Sequence, residues 1–189
     1  MTRKAIIVCA PSGAGKTSIV RHLLSVLPKL SFSVSACSRP KRENEINEKD
    51  YYFMTADEFR SRLNQGDFVE WEEVYPGSYY GTLRSELERI WKDCKTPIFD
   101  VDVKGGISLK TYFGSNALAI YIKPPSIEAL ESRLRKRGSE TEETLRKRLE
   151  RAEFELGFAN NFDIAIINES LEQACSDSVD AIIQFLNQQ

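Results

Sequence analysis

Apolar positions along the chain fall into two alternating patterns. The run AIIVCA at residues 5–10 is continuous and rich in β-branched side chains, the mark of a strand buried on both faces, as in a parallel sheet. The stretch that follows, KTSIVRHLLSVL, carries apolar residues at 19, 20, 23, 24, 26 and 27, a stripe of helical period that Pro28 closes. The same grammar returns in TPIFDVDV (96–103), ALAIYIK (117–123) and FDIAIIN (162–168), each a buried-strand candidate followed by a helix-like stretch. Strands alternating with helices predict βαβ units and a three-layer α/β fold around a parallel central sheet.

Two segments break that rhythm. Residues 33–83 are polar and aromatic, with YYF, FVEW and SYYGT separated by charge and one short helical pattern, TADEFRSRLNQG. So long a segment between parallel strands predicts a small inserted subdomain rather than a plain crossover. The second segment, 125–155, reads as two charged helical stretches hinged near Gly138. The remaining parts, 1–32, 84–124 and 156–189, form the core of one domain spanning 1–189.

Between the first strand and the first helix lies CAPSGAGKTS, residues 9–18, which fits the phosphate-loop pattern G-x-x-x-x-G-K-[ST] except that Ala10 replaces the first glycine. In such a loop main-chain N–H groups turn inward onto phosphates, the lysine reaches the β and γ phosphates, and the next hydroxyl binds Mg²⁺. Alanine at the first position costs about 1 kcal/mol or more only if the backbone there needs positive φ. A strand end does not, so the signature is intact. Ala10, Pro11, Ser12, Gly13, Ala14, Gly15, Lys16, Thr17 and Ser18 are therefore candidates to hold a triphosphate such as that of ATP.

Further charges cluster in patterns that fit phosphate chemistry. Asp100 and Asp102 are two apart, so in a strand they share a face, and carboxylates there are costly unless solvated, paired or beside a cation. With a phosphate loop in the same sheet, a place at the strands' carboxyl ends near Mg²⁺ or a ligand accounts for them, and Asp100 is taken with Thr17 as the metal pair. Arg133 and Arg137 share a helix face and Arg148 follows in the next helix; interleaved glutamates also suit a solvated, salt-bridged surface. SRPKR places Arg39, Lys41 and Arg42 within four residues, as a phosphate clamp or an ordinary basic turn.

Composition narrows the partners. A formal net charge of −2 gives no chain-wide attraction for DNA, RNA or an anionic membrane, so small molecules are the expected partners. Cys9, Cys37, Cys94 and Cys175 have neither C-x-x-C nor metal-ligand spacing, and the N-terminal apolar run is too short for a signal peptide. The expectation is a cytoplasmic protein with reduced thiols, acting as a monomer or small homo-oligomer. The sole histidine, His22, falls in the first helix, a surface or core position rather than a catalytic one.

Taken in order, these stretches resemble guanylate kinase over nearly the whole chain. FSVSACSRPKR is similar to the family's F-S-V-S-x-T-T-R-x-P-R, KDYYF to G-x-x-Y-x-F, and FVEW with YYGT to F-[IL]-E-W and Y-Y-G-[ST]. FDVDVKGG resembles L-D-I-D-x-Q-G, and PPSIEALESRLRKRGSETEE the family's lid. The departures are Cys37 and Ser38 for T-T, Pro40 and Lys41 for x-P, Asn44 and Glu48 where glycines are common, and Lys104 for glutamine.

The resemblance implies a P-loop NTPase fold with a GMP-binding insertion and a helical lid, and Mg²⁺-dependent transfer of the ATP γ-phosphoryl group to GMP in purine nucleotide metabolism. By it Arg39, Arg42, Tyr51 and Tyr80 would hold the GMP phosphate, while Ser35, Glu70, Thr82 and Asp102 would face the base. Lys16, Arg39, Arg133, Arg137 and Arg148 would be the catalytic cations, and Asn168 would approach the ATP adenine. A carboxylate facing guanine is chemically apt, because N1–H and N2–H are donors and a carboxylate only accepts. Two rivals remain: a related interaction module that has lost catalysis, which the intact Lys16 and Thr17 oppose, and a kinase preferring AMP or dTMP.

Overall fold

Strand β1 (Ala5–Cys9) is buried at all five positions, which places it inside the sheet rather than at an edge. The computed structural model describes residues 3–136 and 141–188. After β1 come α1 (Lys16–Val26), β2 (Leu30–Phe32), β3 (Ala36–Cys37), β4 (Tyr52–Phe53), α2 (Ala56–Asn64), β5 (Phe68–Tyr75) and β6 (Ser78–Leu83). Then follow α3 (Arg84–Lys92), β7 (Thr96–Val101), α4 (Val103–Phe113), β8 (Ala117–Lys123), α5 (Ile127–Lys136), α6 (Glu142–Leu156), β9 (Ile164–Ile167) and α7 (Leu171–Asn187). The central sheet has five strands in the order β2-β7-β1-β8-β9, all parallel.

The unbroken apolar run of β1 follows from its two covered faces. Ile6 and Val8 pack with Ile19, Val20 and Leu23 of α1 and Ile182 of α7. Ala5, Ile7 and Cys9 point the other way, onto Leu87 of α3 and Leu109 and Phe113 of α4. Each of the Ile, Val, Leu and Phe side chains among them contributes roughly 1.5–3 kcal/mol of burial, so the two helical layers clamp the sheet from both sides. The result is a three-layer α/β fold, with the carboxyl ends of β1 and β7 opening onto the phosphate loop.

Three boundaries differ from the sequence reading. The fifth strand, β2, escapes a search for apolar runs because it is three residues long with Ser31 at its centre; it pairs only with β7 at the sheet edge. Strand β7 stops at Val101, not 103, because Asp102 leaves the sheet to cap α4, its Oδ1 accepting from the Gly105 N–H at 2.9 Å. Strand β9 starts at Ile164; Phe162 precedes it and packs its ring 5.0 Å from Tyr121.

Residues 36–83 build a second sheet, ordered β4-β3-β6-β5, over a small core of Ala36, Phe59, Phe68 and Leu83. Helices α5 and α6 pack on each other through Leu130, Leu134, Leu145 and Ala152. The hinge expected near Gly138 lies outside the described residues. Among the described residues no helix is long and apolar enough to cross a membrane.

Candidate active site

The loop after β1 is held open by its glycines. Gly13 and Gly15 sit at φ 94° and 97°, a region that costs other residues about 1–2 kcal/mol. Ala10 is not among the positive-φ residues, so its methyl is tolerated for the reason anticipated. Gly15 opens α1, whose first-turn N–H groups at Lys16 and Thr17 have no intrahelical acceptor and face outward. A cavity of about 480 Å³ lies over them, lined by Ala10, Pro11, Ser12, Gly13, Gly15, Lys16, Thr17 and Ser18. Ala14 alone turns inward: its N–H donates to the Pro11 carbonyl at 3.1 Å and its own carbonyl accepts from Asn168 Nδ2 at 2.7 Å.

Lys16 reaches back to the end of β7. Its Nζ is 2.7 Å from Asp100 Oδ1 and donates to the Val101 carbonyl at 2.5 Å. Burial works against that charge, but the carboxylates of Asp100 and Asp102 outweigh it and hold the ammonium above its ordinary pKa. Thr17 Oγ1 donates to Asp100 Oδ2 at 3.3 Å, so lysine, hydroxyl and carboxylate converge on one point at the cavity floor.

A second cavity of about 270 Å³ adjoins the first, and the two share Lys16, Ser35, Tyr51, Asp100, Asp102 and Arg151. Glu70 and Tyr80 line its far wall. Glu70 of β5 is 8% exposed, and burial pushes its carboxyl up to about 7, against the bond that Thr82 donates to its Oε1 at 2.7 Å. Strand pairing sets this contact, because Glu70 lies directly opposite Thr82 in the β5–β6 register. Asp102 adds a second acceptor, with Oδ1 tied to the Gly105 N–H and Oδ2 3.5 Å from Arg151.

Arg39 stands beside this cavity with its guanidinium stacked 4.9 Å from the Tyr51 ring centroid. Its Nε donates to the Tyr80 hydroxyl at 3.1 Å, and its two terminal nitrogens grip Glu45 at 2.6 and 2.5 Å. That grip holds the Glu45 carboxyl down at about 2. Glu45 Oε2 also takes the Arg42 main-chain N–H at 2.8 Å, which closes a turn after SRPKR, a stretch whose spacing fits a phosphate clamp and a basic turn alike. Glu48, at a position where the resembling family commonly has glycine, is in the left-handed region at φ 66°.

The remaining expected residues divide. Arg148 of α6 lines the first cavity, with Nη1 3.4 Å from Ser12 Oγ. Arg133 lines neither cavity; its Nη2 donates to the Asn168 carbonyl at 2.7 Å. Asn168 is 3% exposed and braces the phosphate loop from beneath, whereas the family resemblance placed it at the adenine. Arg137 lies outside the described residues. Two side chains that sequence reasoning missed enter the site: Arg151, which lines both cavities, and Glu155, whose Oε1 accepts from Arg151 Nε at 2.7 Å. The signal available was spacing, since Arg148 and Arg151 fall three apart on one helix face.

A family model described as guanylate kinase matches residues 2–185. The chain belongs to the guanylate kinase family. A guanylate kinase of Porphyromonas gingivalis is 50% identical over 184 residues, covering 97% of this chain and 98% of the relative. One from Bacteroides thetaiotaomicron is 44% identical over 189 residues, covering 100% of this chain and 93% of the relative. Among solved structures, the crystal structure of guanylate kinase from Anaplasma phagocytophilum superposes with a TM-score of 0.79 at 26% identity, covering 100% of this chain and 88% of that one. The fold is accordingly that of a P-loop NTPase. The known reaction of guanylate kinases is ATP:GMP phosphoryl transfer, which makes this chain a phosphotransferase acting on GMP.

Proposed function

We propose that this guanylate kinase-family chain joins its substrates across the seam between the two cavities, the ATP triphosphate in the larger and GMP in the smaller. The observation that carries this reading is the shared wall: Lys16, Asp100 and Asp102 border both spaces, so a donor phosphate in one adjoins an acceptor phosphate in the other. Main-chain N–H groups of Ser12, Gly13, Gly15, Lys16 and Thr17 grip the triphosphate. Lys16 trades its bonds to Asp100 and Val101 for phosphate oxygens and neutralises charge on the migrating group. Arg39, with Arg42, Tyr51 and Tyr80, holds the GMP phosphate in line for attack, and Arg133, Arg137 and Arg148 supply cations from the lid.

Glu70 and Asp102 accept from guanine N1–H and N2–H, with Thr82 fixing Glu70 and Ser35 beside them, whereas adenine presents an acceptor at N1 and meets repulsion there. Thr17 and Asp100 fit Mg²⁺: they put a hydroxyl and a carboxylate oxygen 3.3 Å apart, and that ion needs only one or two protein oxygens beyond phosphates and water. When bound, it neutralises phosphate charge. Exclusion of water by closure of the lid over the cavities keeps the phosphoryl group for GMP. We place this activity in the cytoplasm, on small molecules alone, in a monomer or small homo-oligomer. A coupled ADP-release assay comparing GMP, AMP and dTMP tests the reading; faster turnover with AMP would overturn the base assignment.

A further inference from the structure

A cavity of about 720 Å³ lies away from the active site. It lies at the opposite end of the central sheet, where Lys4, Lys29 and Lys95 immediately precede the first residues of three neighbouring strands, β1, β2 and β7. Arg3 and Lys92 complete a ring of cations, with Glu88 the one acidic side chain lining the cavity, in a chain whose formal net charge is −2. Strands in a sheet are about 4.8 Å apart, so like charges at the same end of adjacent strands repel.

Pairing elsewhere makes this cluster unusual. Exposed cations on the helices find carboxylates: Arg62 pairs with Glu58, Arg135 with Glu131, Lys147 with Glu143. Among the described residues Lys29, Lys92 and Lys95 have no ion-pair partner. Lys4 is aimed by the carbonyls at the end of α7, donating to Phe185 at 2.8 Å, and Arg3 is fixed 4.5 Å over the Trp91 ring. That ring forms part of the cavity wall, and its buried Nε1–H has no acceptor among the described residues.

We propose that this cleft binds a small polyphosphate anion, either an inorganic chain or the triphosphate of a nucleotide, at a site separate from catalysis. Five cations around one space match a multivalent anion, and its oxygens would offset the repulsion that the empty arrangement carries. The six residues of β7 separate this end of the sheet from the phosphate loop by roughly 20 Å, so both sites can be filled at once.

Isothermal titration at low salt tests this, with one equivalent of an adenosine–pentaphosphate–guanosine bisubstrate filling the catalytic cleft. Sodium tripolyphosphate is expected to bind the parent protein and to bind the exposed double variant Lys29→Gln/Lys95→Gln about tenfold more weakly, with kinase activity unchanged in the variant. A Lys92→Gln variant on α3 is expected to weaken it independently. Equal affinity for ATP and tripolyphosphate would assign the site to the phosphate chain alone, and tighter ATP binding to a nucleotide; either supports the proposal. No binding beside the bisubstrate, binding untouched by these substitutions, or preference for single-stranded RNA over tripolyphosphate would overturn it.

Discussion

Replacing Glu70 with glutamine should stabilise the nucleotide-free protein while weakening its hold on GMP. Burial pushes this carboxyl from an ordinary 4.5 up to about 7, so ionising it at neutral pH costs about 3 kcal/mol more than in an exposed glutamate. The sign follows from proton counting. Below pH 4.5 the group is protonated in both folded and unfolded chains and contributes nothing. Between 4.5 and about 7 the unfolded chain releases the proton and the native one keeps it, so stability falls as pH rises; above 7 the loss is complete and constant. Glutamine keeps the oxygen that accepts from Thr82 and carries no charge, although its amide protons also need acceptors. Urea unfolding should therefore show the variant more stable by about 1–3 kcal/mol at pH 8, a rise in Tm of roughly 3–10 °C, with little difference at pH 5. A gap that does not change with pH, or a less stable variant at pH 8, would refute the reasoning. In kinetics, the amide offers one acceptor where guanine presents two donors, so kcat/KM for GMP should fall about 10–100-fold with the KM for ATP unmoved. In the parent, the KM for GMP should rise as pH drops below about 7, because guanine binds the ionised form.

Other residues give sharper tests of single roles. Lys16→Met should lower turnover by about 10² or more, the scale of one lost preorganised charge, and a near-normal rate would remove Lys16 from the mechanism. Arg151→Ala removes the ion pairs with Asp102 and Glu155 and leaves the buried Glu155 carboxylate without this cation, so it should cost about 1–3 kcal/mol of stability in urea and also lower kcat/KM for GMP about tenfold; a stability loss with kcat/KM unchanged would make Arg151 structural. Glu45→Gln loosens the bidentate brace on Arg39 and should raise the KM for GMP several-fold with kcat nearly kept, whereas a fall in KM would show the carboxylate competing with substrate phosphate. Asn168→Ala deletes the bond to the Ala14 carbonyl, worth about 1 kcal/mol, and should raise the KM for ATP a few-fold without changing that for GMP.

What could be read from residue order alone was what the chain builds locally. Strand β1, the loop and α1 are consecutive, so apolar period and two glycines suffice to place Lys16 and Thr17. The second cavity is different, because Glu70 meets Thr82 through strand register and Asp102 meets Arg151 across a helix and a sheet. Only the family resemblance pointed to Glu70, Thr82 and Asp102 as neighbours. Arg151 had no such pointer: on a helix dense in Glu and Arg it reads as solvated surface, and only the fold carries it to both cavities. Short β2 was missed because burial there comes from its neighbours and not from its own three residues.

Asp100 and Asp102 show how one misplaced boundary changes chemistry. Read as one strand, they would share a face and a task. The strand ends between them, and the turn into α4 assigns them to different partners: Asp100 stays at the sheet end with Lys16 and Thr17, while Asp102 caps the helix and meets Arg151. The carboxylate paired with Lys16 and the one paired with Arg151 are thus set on opposite sides of a single residue, Val101, whose carbonyl itself accepts from Lys16. Both carboxylates still border the two cavities, so the strand-to-helix turn divides their bonding partners and leaves each within reach of either space.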